Sequence, residues 1–183
     1  MDRRIERTHQ AVREATLAVL GNRGYATFTM EAVADAAGVS KSTIYRHWPT
    51  KLALIADSLE TLNQQPRLEV HKGSVRERVR QLLRHLAEVF SDSPLAACIP
   101  ALIEAAEHHD EVARFLHSYN ERRRKTLSDT LQEGIASGEL SPNLDPELAT
   151  LALIGPIIYR RTMTPTPLKA ERVSALVDLV LGK

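Results

Sequence analysis

Cys98 is the only cysteine in 183 residues, so no disulfide can close within the chain, and a lone thiol fits a reducing cytoplasm. Aromatic residues make up 4% of the chain and hydrophobic ones 43%, the profile of helices packed through Ala, Leu, Val and Ile. That scarcity also argues against a flat aromatic ligand. No apolar run is long enough to span a membrane. The N-terminus, MDRRIERTHQ, is charged where a signal segment would be apolar. Gly-rich phosphate loop, nucleophile elbow and paired carboxylates are all missing, so neither enzyme nor cofactor is expected. The histidines give no metal site either. His108 and His109 are adjacent and point in different directions, and His85 and His117 add no helical ligand pair. The run His108 to Glu111 reads as a solvated connection. Net charge is only +1, but it is unevenly spread: residues 1–51 carry eight Lys or Arg against five Asp or Glu, and the remainder sixteen against eighteen.

The basic part holds the most informative stretch, Thr29 to Lys51, TMEAVADAAGVSKSTIYRHWPTK. Met30, Val33, Ala34 and Ala37 recur at helical spacing, with Thr29 before them as N-cap and Glu31 in the first turn, where the helix dipole favours an acid. Gly38 breaks that helix, since glycine alone takes a left-handed turn without steric cost. Ser40 caps a second short helix, Lys41 to His47. Its inner face needs only Val39, Ile44 and Trp48, and its other side chains are nearly all hydrogen-bond donors. A helix so short, polar and basic adds little to a core and suits a rod laid in a DNA major groove.

The run AVADAAGVSKSTIYRHWPTKLAL resembles the helix-turn-helix signature of the tetracycline-repressor (TetR) family of transcriptional regulators, without a gap from about Thr27 to Leu54. The resemblance implies an all-α fold: an N-terminal helix-turn-helix DNA-binding domain, residues 1–50, and a larger helical domain, residues 51–183, for effector binding and dimerisation. Carried over residue by residue, it assigns Lys41, Ser42, Thr43 and Tyr45 to bases or flanking phosphates. His47 and Lys51 fall to the DNA backbone, and Thr29 to a phosphate at the preceding helix start. Lys41 is the best candidate base reader, because a lysine can donate to guanine O6 and N7. Arg46 points sideways to phosphate or pairs with an acid. The implied function is a regulator, most often a repressor, that binds a palindromic operator in double-stranded DNA as a homodimer and is released by a small-molecule effector. The alternative is a helical protein-interaction adaptor without specific DNA binding.

The rest of the chain reads as further helices, about nine in all, with no strand signal. The first covers residues 3–21, with Ile5, Thr8, Val12, Ala15, Val19 and Leu20 inward and Gly21 and Gly24 at its end. Arg3, Arg4 and Arg7 at its start serve equally as DNA-backbone contacts or a solvated basic end. Tyr25, Phe28, Ile44 and Trp48 close a three-helix core too small to stand alone. A helix from Thr50 or Lys51 to Gln65, with Leu52, Ile55, Ala56, Leu59 and Leu62 apolar, is a candidate lever. Pro66 and Gly73 mark a break. Ser74 and Glu77 form a capping box for Val75 to Asp92. Ser93-Pro94 opens Leu95 to Glu107, which Pro100 should kink or interrupt. Glu111 to Ser137 is a long helix ended by Gly138.

Asp145-Pro146 opens a helix through Thr162, and Thr166-Pro167 opens the last, Leu168 to Leu181. Ala149, Leu151, Ala152, Leu153, Ile154, Ile157 and Ile158 spread around the former, and Val173, Leu176, Val177, Val180 and Leu181 stripe the latter. A helix apolar on most sides is buried on most sides. A homodimer through residues 145–162 and 168–181 is the simplest completion, and a central helix in a monomer is the alternative. Leu83, Leu86, Phe90, Phe115, Leu116 and Tyr119 are candidate effector-lining residues that read equally as plain core. Cys98 reads as a small core residue, and Arg122 to Lys125 as a solvated basic face.

Overall fold

A computed structural model describes residues 3–63, 73–92 and 94–182, with the side chains at 3, 4, 61–63, 92, 94, 95 and 123 outside the description. The apolar role of Leu62, the helix end at Gln65, the break at Pro66 and the Ser93 cap lie outside the described residues. Among the described residues there are nine α-helices and no strand. They are α1 (Arg3–Arg23), α2 (Met30–Ala37), α3 (Lys41–His47), α4 (Lys51–Asn63), α5 (Val75–Asp92), α6 (Pro94–Ala106), α7 (Asp110–Ser137), α8 (Pro146–Met163) and α9 (Val173–Leu181), with a single 3-10 turn, Ala170–Arg172, before α9. Among the described residues no single helix is long and apolar enough to cross a membrane.

Packing groups the chain into two compact units: Met1–Arg67 with Ala97–Leu116, and Leu68–Ala96 with His117–Lys183. In the first, α1 packs against α2 and α4. Val12, Leu20, Val33, Ile44, Leu54, Ile55 and Leu59 are fully buried, closed over by Tyr25, Phe28, Trp48, Cys98, Leu102 and Val112. The expected stripes are shifted in places. Ile5 is 45% exposed. On α4 the buried positions are Leu54, Ile55, Ser58 and Leu59, with Leu52 and Ala56 only half-buried. Ser58 tolerates burial because its hydroxyl donates to the Leu54 carbonyl at 2.7 Å.

Gly21 does not end α1. The helix continues to Arg23 and closes at Gly24, φ +75°, whose N–H donates to the Leu20 carbonyl at 2.9 Å. Gly21 serves a close approach instead: a Cβ there would lie 2.9 Å from Cβ of Ala97. Next to that crossing, the thiol of Cys98 is fully buried and contacts the Leu17 carbonyl at 3.4 Å. Burial pushes its pKa up to about 12, so the thiol is inert at neutral pH. Pro100 does not interrupt α6, which runs through it.

In the second unit α5 packs against α8 and α9, burying Val79, Leu83, Leu131, Leu153, Ile157, Val173 and Val177. The capping box is made as its spacing predicts: Ser74 N–H donates to Glu77 Oε2 at 2.8 Å, and Glu77 N–H to Ser74 Oγ at 3.3 Å. The Ser74 N–H and the Ser74 hydroxyl, the latter at 3.1 Å, both donate to Glu77 Oε2 and lower the pKa of that carboxyl. Asp145 caps α8 through Glu147 and Leu148, at 2.9 and 3.0 Å. The last helix is shorter than Leu168 to Leu181. Thr166, the expected cap, has its hydroxyl taken by Arg160 at 2.7 Å, Lys169 is extended, and α9 begins only at Val173. Three arginines of α5 hold it: Arg84 donates to Ser174 Oγ (2.9 Å), Arg80 to Asp178 (2.6 Å) and Arg76 to the Leu181 carbonyl (2.8 Å).

The Gly21 crossing generates a test. Gly21→Val should lower stability by about 1–3 kcal/mol, the usual cost of overpacking, read as a fall in Tm, whereas Gly155→Ala, where a Cβ meets open space, should not lower it.

Candidate nucleic-acid interface

Local chemistry builds the turn between α2 and α3. Thr29, extended at φ −132° and ψ 152°, accepts the Ala32 N–H on its hydroxyl at 3.1 Å. Gly38 is left-handed at φ 66°, and Val39 N–H returns to the Ala34 carbonyl at 3.0 Å. Ser40 then opens α3, accepting the Thr43 N–H on Oγ at 3.2 Å. Each such cap is worth about 1 kcal/mol.

Within α3 only Ile44 is buried, contributing about 1.5–3 kcal/mol, and Trp48 follows at 5% exposure. Lys41, Ser42, Tyr45, Arg46 and His47 are exposed, and Thr43 is half-buried. The helix thus presents one continuous polar and aromatic surface. Thr29 is also exposed, at the start of α2. Several of these groups have partners within the two helices and their caps. Lys41 lies 3.5 Å from Glu31 of α2, and the hydroxyls of Ser42 and Thr43 lie 2.9 and 2.8 Å from Ser40 Oγ.

Lys51 does not join this surface. Its ammonium donates to the Tyr25 carbonyl and sits 3.6 Å from the centroid of the Tyr25 ring. Burial lowers its pKa, with Glu111 opposing. The other face of the story is Tyr25, buried and 5.3 Å from the ring of His109. His108, by contrast, lies at the 4.0 Å limit of pairing with Glu104. Among the described residues no group of three or more His, Cys, Asp or Glu gathers at metal-binding distances.

Behind α3 lies a cluster with no local sequence pattern. Trp48 Nε1 donates to Asp57 Oδ2 at 2.9 Å, and Arg13 Nε reaches the same oxygen at 2.9 Å. His9 packs edge-on to His47, with centroids 4.5 Å apart, and 5.0 Å from Trp48. Its Nε2 is buried with no hydrogen-bond partner among the described residues. Desolvation lowers the His9 pKa, helped by His47 and Arg13 and opposed by Glu6 and Asp57. One signal pointed to Asp57: a buried indole is a donor only and needs an acceptor.

Two short helices turned by a left-handed glycine, the second anchored by one residue and otherwise offering donors to solvent, define a helix-turn-helix DNA-binding regulator. The chain belongs to the TetR family of bacterial transcriptional regulators. Residues 12–57 match the family described as bacterial regulatory proteins, tetR family, and residues 70–180 match the tetracyclin repressor-like C-terminal domain. The HTH-type transcriptional regulator YdeS of Bacillus subtilis (strain 168) is 33% identical over 176 residues, covering 95% of this chain and 88% of YdeS. Among solved structures, the fatty acid degradation regulator FadR from Bacillus halodurans superimposes with a TM-score of 0.80 at 22% identity, covering 94% of this chain and 97% of that one. FadR from Bacillus subtilis, in complex with stearoyl-CoA, gives 0.76 at 21% identity, covering 94% and 97%. These two likenesses establish the fold.

The His9 environment carries a pH dependence. A histidine whose folded pKa lies below its ordinary 6.5 binds protons more weakly folded than unfolded. Its burial therefore carries no proton-linked penalty above pH 6.5, and stability falls as pH drops from there towards the lowered value. His9→Phe should flatten part of the fall in Tm between pH 7.5 and pH 5.5, and an unchanged acid limb would contradict this account.

Proposed function

We propose that this regulator is a repressor that binds a palindromic operator as a homodimer and leaves it when a small-molecule effector binds. The observation that carries the DNA half is the α3 surface: Lys41, Ser42, Tyr45, Arg46 and His47 exposed on a helix whose one buried residue is Ile44. Residues 1–50 contact the duplex and residues 51–183 bind effector and dimerise. Lys41, Ser42, Thr43 and Tyr45 meet bases or flanking phosphates, and Lys41 reads a base once it leaves Glu31. Arg46, His47 and Thr29 serve the backbone. Lys51, engaged by Tyr25, acts from behind, adding positive charge beside the N-terminus of α4. It reaches a phosphate directly only by leaving that carbonyl.

Pairing of two copies is supported by α8 and α9. Leu148, Leu151, Tyr159 and Met163 are 64, 47, 61 and 72% exposed on α8, and Leu179 on α9 is 81% exposed. Gly155 lies within the same α8 surface, with open space at its Cβ position. Monomers rarely leave such a surface uncovered, and a two-fold pairing of α8 and α9 covers it. The effector reading draws on the stearoyl-CoA complex of Bacillus subtilis FadR. An effector acts here by favouring the dimer state whose α3 spacing does not match the operator, through a tilt of α4, and only to the extent of its differential affinity. The protein works in the cytoplasm, where its duplex is, as a non-enzyme.

Selection from random duplex DNA at two salt concentrations tests this. A palindromic motif should emerge, with affinity falling steeply as salt rises. No enrichment at either salt would favour the adaptor reading. Against the selected operator, Arg46→Ala should reduce the logarithmic salt slope by about one, the loss of one phosphate contact, while Lys41→Ala should relax discrimination at one position. Leu151→Glu should yield monomers in sedimentation without unfolding, and a variant that stays dimeric would overturn the assigned interface.

A further inference from the structure

We propose that Asp57 is a positioning residue for DNA reading: it sets the angle of α3 by receiving Trp48 and Arg13 on one carboxylate. The inference rests on the DNA-binding role and is independent of any effector.

The geometry is that of a lever with a pivot and a handle. Ile44, in the middle of α3, is the only residue of that helix that is buried. A rod held at one point turns about it. The caps from Ser40 tie only the first turn. Trp48, immediately after the helix, supplies the second point. Its backbone N–H closes α3 on the Ile44 carbonyl at 2.9 Å, and its indole N–H leaves the helix for Asp57 Oδ2, also at 2.9 Å. Arg13 of α1 reaches that same oxygen at 2.9 Å, with side-chain exposure of 18% against 36% for Asp57. One carboxylate on α4 therefore joins α1, α4 and the end of α3.

The chemistry makes this joint stiffer than its apolar surroundings. A carboxylate acceptor gives shorter, stronger bonds than a neutral one. The indole has no acceptor lone pair, so its buried N–H has to find an oxygen, and removing Asp57 leaves it unsatisfied. Hydrogen bonds tolerate only a few tenths of an ångström before weakening. A displacement of α4 larger than that either carries Trp48 along or breaks the bond. The position of α4 is thereby converted into the angle of α3. Arg13 retains Glu6 as a second acid at 3.8 Å, so the indole is the more dependent partner.

Trp48 is the only tryptophan of the chain, and its emission reports the joint directly. Asp57→Ala removes charge and acceptor, Asp57→Asn keeps an acceptor without the charge, and Trp48→Phe keeps the apolar ring without the donor. Each variant is tested for melting, dimer content, Trp48 emission where present, and affinity for the selected operator and for random duplex. Asp57→Ala should shift and broaden the emission and weaken operator binding roughly tenfold or more, the equivalent of one lost hydrogen bond to a charged group. Binding to random duplex, which is set by phosphates, should change far less. Asp57→Asn should restore most of the emission and part of the operator affinity. Trp48→Phe should lose discrimination as Asp57→Ala does.

A folded Asp57→Ala protein with wild-type emission, or with a wild-type ratio of operator to random affinity, overturns the proposal. Should Asp57→Ala not fold, wild-type ratios in both Asp57→Asn and Trp48→Phe overturn it equally. If the wild-type protein selects no sequence, the operator reading fails instead. The hold of Asp57 on the end of α3 is then decided by the emission of the two Asp57 variants alone: a shift in Asp57→Ala that Asp57→Asn reverses supports it, and no shift ends it.

Discussion

Seven residues of helix cannot hold themselves in water; isolated helices need about 12–15 even with favourable sequences. The exposed surface of α3 therefore exists only because other elements hold it. Its charged and hydroxylic side chains cannot do so, since each one spent on a core contact is one fewer for the groove. The holding is concentrated in Ile44, the Ser40 cap and Trp48. Such economy makes the helix a poor structural member, and its support passes to α1 and α4. That is why a carboxylate, a guanidinium and an indole meet at Asp57, where an apolar contact would allow sliding.

The same constraint explains why the first unit draws on residues far along the chain. Four short helices enclose too little surface for a stable core. Ala97 to Leu116 pack into the same unit, and two details show how closely. Gly21 leaves room for the Ala97 methyl that its own Cβ would meet, and the Tyr25 ring contacts both the ammonium of Lys51 and the ring of His109. The start of α4 is thus in contact, through one aromatic ring, with the connection between α6 and α7.

What was legible in the sequence is what chemistry fixes locally. Thr29, Ser40, the Ser74–Glu77 box and the Asp145 cap each satisfy neighbouring N–H groups, and Gly38 satisfies carbonyls at the end of α2, so type and spacing alone locate them. The inward face of α3 was legible because Ile44 and Trp48 were the only apolar choices. What was not legible depends on partners far away. Lys51 carries the residue type of a phosphate contact, but the carbonyl and ring that hold it come from Tyr25. Ile5 fits the period of α1 but lies beyond the reach of the core. Thr166 has the look of a cap until Arg160 takes its hydroxyl. Asp57 belongs to no motif, because its two partners are 9 and 44 residues away.

The second unit solves a related problem with charge. At nine residues, α9 is also too short to persist alone, and its buried side is only Val173 and Val177. Arg84, Arg80 and Arg76 reach Ser174, Asp178 and Leu181 in reverse order, one arginine for each turn, and the last of them takes a carbonyl that the helix itself cannot satisfy. Fastening α9 to α5 from one side by polar bonds leaves its apolar residues on the other side uncommitted, which is where Leu179 stands. The arginines allow α9 to be rigid and exposed together, and rigidity before contact lowers the ordering cost of any association that covers it.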